Sequence, residues 1–552
     1  MIHDLAQTQL AELPGYDLCV IGSGPAGMTV AAELANSGLR VCVLESGRAA
    51  LTPFGDRLRR VESEGILIKS WSRERVLGGT SSTWAGLSSP LEPLDLAERP
   101  WVPLSGWPIA RAELERCYAL AAQRYRFPAA TAFGLEGFGA LRARGQHQPG
   151  WNGLAEKVFL AATPPQLFGV EQRAIFEREG VDLYLDASVV RIVAERSSAR
   201  RARVRSSTGL ELEFEARTFV LATGGIENAR LLLVSELGNE RDQVGRHLMN
   251  HPKNYCGVVS LERPVTELPY YFGCMWRGFA GYAGLRLDDA EQQRAGLLDS
   301  YVRFEPLFPW SDSQGVESLV TLAKRSRLVL GRWRRSADKE VVALRDYSET
   351  GDDSELQNER GGPAGWMRLS WLVARDLPRV SRYAWNRVFA RARPAVHSVR
   401  LRNFMEMQPQ PENRVQLSNQ KDELGLPLAR VRHRSSELDR RSLVALHERL
   451  ALELPRAGLG RLESDLARAD PWPIDQDASH HMGTTRMGRD PASSVVDAQG
   501  RVHSLANLYI AGASVFPTSG SANPTFTIVA LSIRLAEHLR AELDSARGAA
   551  PA

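Results

Sequence analysis

Three glycines and one acid define the first recognisable chemistry in this sequence. The run Tyr16-Asp17-Leu18-Cys19-Val20-Ile21 reads as a buried strand, and it leads directly into Gly22-Ser23-Gly24-Pro25-Ala26-Gly27 and then an Ala-rich helix. In such a strand–turn–helix Gly22 permits the tight turn, Gly24 lets a pyrophosphate approach the backbone, and Gly27 lets the helix pack on the strand. Phosphate then lies on the helix N-terminus. A second apolar strand, Leu39 to Leu44, ends in Glu45, about 20 residues after the fingerprint, where a carboxylate binds ribose hydroxyls. The chemistry is dinucleotide binding, and these residues alone leave NAD and FAD equally open.

The elements that must position this site recur along the chain. Gly78-Gly79-Thr80-Ser81-Ser82-Thr83-Trp84-Ala85-Gly86 is a second cluster of small residues that allows close backbone approach to a flat or charged ligand. Ile109 to Arg126 reads as an amphipathic helix. Val181 to Glu195 and Leu210 to Phe214 read as strands, joined by a basic, Ser-rich turn at Ser197 to Gly209. Thr218-Phe219-Val220-Leu221-Ala222-Thr223-Gly224-Gly225 repeats the strand-into-small-residues theme before a helix, Ile226 to Leu237. Further on, Arg400 to Glu406 and Arg414 to Leu417 read as strands, and Glu437 to Leu454 as a helix. Asn507 to Gly512 reads as a strand and Phe526 to Leu543 as a closing helix. His247 and His251 have no further metal-ligand partner, so they read as part of a structural loop and no metal site is expected.

Composition narrows the class. The 552 residues are 43% hydrophobic and 24% charged, an ordinary globular balance that makes extensive disorder unexpected. A net charge of +4 is too small for this length to argue for nucleic acid as a partner. The five cysteines are scattered without Cys-x-x-Cys and read as reduced structural thiols. The chain therefore offers no c-type haem or iron–sulfur motif. With no signal-like N-terminus and no membrane-length apolar run, the expected compartment is cytoplasmic. The segment from Lys324 to Lys339 carries seven basic residues and one acid around Trp333. It reads as a solvated helix face, with peripheral membrane contact or an acidic partner as the alternative. A second Trp- and Arg-rich helix is expected over Arg379 to Arg393.

Together these pieces resemble the glucose–methanol–choline family of FAD-dependent oxidoreductases. The resemblance is carried by the fingerprint with Glu45, Gly78 to Gly86, Ala222 to Gly225, His480-His481-Met482-Gly483-Thr484 and Asn523-Pro524-Thr525. It implies an α/β protein: a discontinuous Rossmann-like FAD-binding domain and an α+β substrate-binding domain with a mainly antiparallel sheet. The expected parts are 12–100, 181–255 and 476–552 for FAD. Residues 101–180 would form a substrate or cap segment, and 256–475 the substrate domain, with a basic cap insertion near 320–395. The implied cofactor contacts are Gly22, Ser23, Gly24, Pro25, Ala26, Gly27, Glu45, Ser46, Gly78, Gly79, Thr80, Ser81, Trp84, Ala85, Gly86, Val189, Ala222, Thr223, Gly224, Ala513, Ser514, Pro524 and Thr525.

By the same resemblance His480 is the catalytic base and Asn523 its hydrogen-bonding companion, both facing flavin N5. Imidazole suits removal of a hydroxyl proton while hydride leaves carbon, and an amide can donate to the developing alkoxide. His481 reads as a packed neighbour. Relatives that tether their flavin use a histidine where this chain has Thr83, so FAD is expected to be noncovalent. Gln408, Glu406 and Trp472 are the substrate-contact candidates. The expected activity is oxidation of a CH–OH group of a sugar, glycoside or related polyol, with oxygen, a quinone or a separate carrier protein as electron acceptor. A flavin-containing lyase of the hydroxynitrile type and a noncatalytic flavin-binding subunit are the alternatives.

Overall fold

A computed structural model describes residues 1–7, 13–142, 149–270, 274–325, 363–389, 394–473 and 477–548. Its first sheet is built on Tyr16–Ile21, in which every residue is buried, as expected for a parallel strand covered on both faces. In spatial order the sheet runs Ile2–Asp4, Val181–Leu185, Val41–Leu44, Tyr16–Ile21, Glu211–Leu221, Ser198–Arg205 and Ser188–Glu195, with Leu508–Ile510 also paired to Glu211–Leu221. Register brings the strand ends level: Ile21 lies opposite Leu44 on one side and Leu221 on the other, and Leu221 opposite Ile510. Gly22, Glu45, Ala222 and Ala511 therefore leave the sheet along one carboxyl edge, where open parallel sheets bind ligands. Helices Pro25–Leu34 and Thr525–Gly548 pack against each other over this sheet.

The expected turn at Ser197 to Gly209 is instead mostly strand. Ser198–Arg205 pairs antiparallel with Glu211–Leu221 and places Ala199, Ala202 and Val204 inward. Arg203 and Arg205 point outward to Glu213 and Glu211. Small inward residues among arginines conceal the alternation. Two expected strands also merge, since Glu211–Leu221 is continuous.

The second sheet is antiparallel, ordered Gly460–Glu463, Val258–Val265, Val396–Phe404, Tyr301–Pro306, Phe279–Leu287, Leu154–Ala162 and Leu87–Ser88. Period-two alternation gives it two distinct faces. Val302, Phe304, Leu401 and Met405 pack with Leu443, Leu446, Leu450 and Leu454 of helix Glu437–Arg456 in a second core. Tyr301, Arg303, Arg402 and Phe404 lie on the opposite face. Helices Gln314–Arg325, Pro363–Arg375 and Leu377–Phe389 form a small separate cluster. The basic stretch 326–339 and residues 390–393 of the second expected helix lie outside the described residues.

Candidate active site

The glycine corner is fixed by contacts that no side chain could tolerate. Gly22 has φ +103°, and a Cβ there would sit 2.6 Å from the Ala222 carbonyl oxygen; at Gly27 it would sit 1.9 Å from that of Gly22. Glu45 accepts from Ser23 N at 3.0 Å, Ser23 Oγ at 2.6 Å and Gly47 N at 2.7 Å, so the acid holds the turn as well as facing the cavity. Ser23 Oγ in turn accepts from Gly78 N at 3.1 Å, joining the two glycine-rich runs. Trp84 is anchored by an Nε1–H bond of 2.7 Å to the Gln166 carbonyl. Substituting Gly27 by valine is expected to yield protein without bound flavin, read as loss of the absorbance near the visible flavin bands after purification.

These groups wall a cavity of about 360 Å³ that continues from the carboxyl edge of the first sheet to the open face of the second. Of the expected cofactor contacts, all line it except Gly27, Gly78, Val189 and Ser514. Gly27 and Gly78 act from behind, through close backbone packing. Val189 borders a smaller adjoining cavity that shares Gly22, Ser46 and Thr223 with the main one. Ser514 Oγ accepts from Asn228, whose Oδ1 accepts from the Thr223 N–H and hydroxyl, so it braces the wall indirectly. The glycine cradle, the adjacent helix N-terminus and the cavity's reach to a histidine cluster fit an extended dinucleotide such as FAD.

His480 and Asn523 both line the far end of this cavity. His480 is set in place by its backbone: its N–H donates to Asn250 Oδ1 at 2.9 Å, and Met482 pairs antiparallel with Met249. That pairing brings in a residue the spacing gave no reason to choose. His251 Nδ1 lies 3.0 Å from His480 Nδ1, and His251 Nε2 lies 2.9 Å from the Gly520 carbonyl oxygen. A carbonyl only accepts, so His251 must carry its proton on Nε2. In neutral His251 the Nδ1 lone pair then accepts, and His480 must donate from Nδ1. Neutral His480 is left with its lone pair on Nε2.

Both rings are held neutral. Burial pulls His251 down to about 4. Burial, then the repulsion that a proton on His480 would meet from positive charge at His251, Lys253 or His481, pushes His480 well below 6.5. His247, grouped with His251 by spacing, is buried elsewhere and does not line the cavity. His481 packs under Gly225, where a Cβ would meet its carbonyl oxygen at 2.1 Å.

The loop carrying Gly520 and Asn523 is stapled to a buried charge network. Ser521 Oγ donates to Asp299 Oδ2 at 2.5 Å, and Thr518 is held by Trp107 and by the Asp95 carbonyl. Asp299 also faces Lys157 at 3.3 Å and Arg286 at 3.3 Å, which hold its carboxyl below the usual range against the opposing effect of burial.

The substrate-contact candidates do not line the cavity. Glu406 is enclosed in a two-point ion pair with Arg99, at 2.9 and 2.5 Å, and accepts from Asp299 N at 2.7 Å. The strand ends at Phe404, so the alternation used to place Glu406 stops before reaching it. Gln408 donates its backbone N–H to Asp439, and Trp472 packs on the second core beneath Arg440. The wall is instead Tyr282, Tyr301, Arg303, Arg402 and Phe404, with Lys253 and Trp71 nearby. Tyr301 and Phe404 are cross-strand partners with rings stacked 4.7 Å apart.

A dinucleotide fold opening onto an antiparallel substrate sheet, with paired histidines where they meet, defines an FAD-dependent oxidoreductase. Comparison with known proteins agrees: the family described as FAD dependent oxidoreductase matches residues 17–247, and GMC oxidoreductase matches residues 409–532. The C-terminal part of the chain is thus similar to GMC oxidoreductases and the N-terminal part to FAD-dependent oxidoreductases. It is 26% identical to paromamine 6'-oxidase of Streptomyces fradiae over 96% of this chain and 92% of that protein. It is 28% identical to the fructose dehydrogenase large subunit of Gluconobacter japonicus over 59% of this chain and 48% of that one. Pyridoxine 4-oxidase from Mesorbium loti shares the fold, with a TM-score of 0.51 at 16% identity over 95% of this chain and 99% of that structure.

Proposed function

We propose that this enzyme oxidises a CH–OH group of a sugar, glycoside or related polyol to a carbonyl. The observation that carries this reading is the fixed hydrogen-bond order Gly520–His251–His480, which leaves Nε2 unprotonated on a histidine that lines the same cavity as the dinucleotide cradle. FAD, when bound, supplies the two-electron acceptor for hydride. His480 Nε2 takes the hydroxyl proton, and its imidazolium keeps donating from Nδ1 to His251. Asn523 donates from its amide to the substrate oxygen as negative charge grows there. The stacked Tyr301 and Phe404 and the arginines beside them bound the space where a polyhydroxylated ring would rest, aromatic faces meeting C–H surfaces and guanidinium N–H groups meeting hydroxyl oxygens.

Relatives named for paromamine, fructose and C-glycosides support a sugar-like substrate. The test is a panel of sugars, glycosides and polyols assayed with oxygen and with a dye acceptor. Anaerobic bleaching of the flavin by a panel member supports oxidation, whereas turnover of a cyanohydrin with the flavin remaining oxidised would replace it with the lyase reading. The panel also separates oxygen from quinone-like or protein acceptors.

The wall beside Trp84 supports noncovalent attachment. Thr83 faces the cavity with its hydroxyl engaged by the carbonyls of Trp71 and Thr80, and it lacks a ring nitrogen that could bond the flavin. Acid precipitation of the holoenzyme is expected to leave all the flavin absorbance in the supernatant; yellow colour retained in the washed pellet would refute this.

A further inference from the structure

The helical hairpin Pro363–Arg375 and Leu377–Phe389 has an inner and an outer side of different character. Inward, Leu369 and Leu372 meet Leu322, while Val380 and Tyr383 meet Val316 and Val320. Outward, Met367, Trp371, Leu377, Trp385, Val388 and Phe389 stand 58–70% exposed. Met367 and Trp371 are spaced i,i+4, and Trp385 reaches Val388 and Phe389 at i,i+3 and i,i+4, so each helix gathers its exposed apolar groups into a stripe. A helix face that meets only water is normally polar, and large apolar groups gathered on an outer face mark an interaction surface.

The charge on the hairpin identifies the partner. Residues 363–389 contain five arginines and one acid, Asp376. Arg375 stacks over Trp371 at 5.3 Å, and Trp385 and Phe389 lie 4.6 Å apart. Aromatic residues and arginine are enriched at protein interfaces as well, but the five-to-one excess of basic over acidic residues favours an anionic surface. Here arginines alternate with tryptophans, the pairing suited to an interface apolar on one side and anionic on the other. Among the described residues no helix is long and apolar enough to cross a membrane, so such contact is peripheral.

We propose that this hairpin docks on an anionic lipid bilayer, with Trp371, Trp385 and Phe389 entering the headgroup layer and Arg375, Arg379 and Arg382 meeting lipid phosphates. The test is co-sedimentation of the flavin-loaded enzyme with phosphatidylglycerol or phosphatidylcholine vesicles at low and high salt. The expected result is binding to the anionic vesicles, weakened by salt and weak on the zwitterionic ones. Each arginine near such a surface contributes about fivefold in partitioning, so Arg375→Gln/Arg379→Gln/Arg382→Gln is expected to lose on the order of a hundredfold. Trp371→Ser/Trp385→Ser/Phe389→Ser should abolish sedimentation, with flavin content and Tm confirming that both variants fold. A third protein with residues 326–362 replaced by a Gly-Ser linker should still bind. Three results would overturn the proposal: no preference for anionic vesicles, undiminished binding by either triple variant, or loss of binding in the linker protein, which would assign the contact to the replaced segment.

Discussion

Replacing His480 by alanine is expected to lower the rate of flavin reduction by substrate by about 10²–10⁴-fold while leaving FAD bound, the range typical for loss of a general base. Retained flavin follows from the division of the cavity: the glycine cradle and Glu45 sit at the first sheet, whereas His480 stands at the far end with Asn523. The pH dependence carries the sign. Burial and the surrounding His251, Lys253 and His481 displace His480 well below 6.5, so its neutral, proton-accepting form persists throughout the neutral range and is lost only on acidification. The acidic limb of kcat/KM should therefore fall below pH 6.5 in the wild type and be absent from the residual activity of His480→Ala. Anaerobic stopped-flow measurement with the best sugar from the panel checks both. A full rate in the variant would remove His480 from the mechanism.

Legibility in the sequence followed the range of the interactions involved. Tyr16–Ile21 and the Thr218–Leu221 run are fully or almost fully apolar because both sheet faces are covered, and their glycine-rich exits are local signals. Ser198–Arg205 was hidden because alanines fill its inward face and arginines its outward one. Buried charge left no local signal: Glu406 reads as a substrate-contact candidate, yet with Arg99 and Lys157 it forms the network that holds the Gly520 loop, with partners up to about three hundred positions away. His480 and Asn523 stood out through local motifs. Tyr301 facing Phe404, and Arg303 facing Arg402, depend on the register of two strands nearly a hundred residues apart, which no local spacing encodes.

His251 is the sharper case, because its role depends on a single long-range pairing and its loss is expected to have the second-largest effect. The Met249–Met482 bridge sets its ring against His480, and Gly520 then dictates which nitrogen of each ring carries hydrogen. Without His251, His480 is free to place its proton on Nε2, the tautomer that cannot accept from substrate, and its imidazolium loses the acceptor for Nδ1–H. His251→Phe keeps a ring in the space and removes both hydrogen bonds; kcat is expected to fall on the order of 10²-fold with KM little changed, since the substrate wall is untouched. His251→Gln offers a carbonyl to His480 Nδ1–H and an amide N–H to the Gly520 carbonyl, restoring the same order of donors and acceptors. It should recover activity to within about tenfold of wild type. A purely structural role would make the outcome follow ring packing instead, with phenylalanine tolerated and glutamine impaired. Steady-state kinetics of the two variants, with flavin spectra verifying equal FAD content, distinguish these outcomes directly.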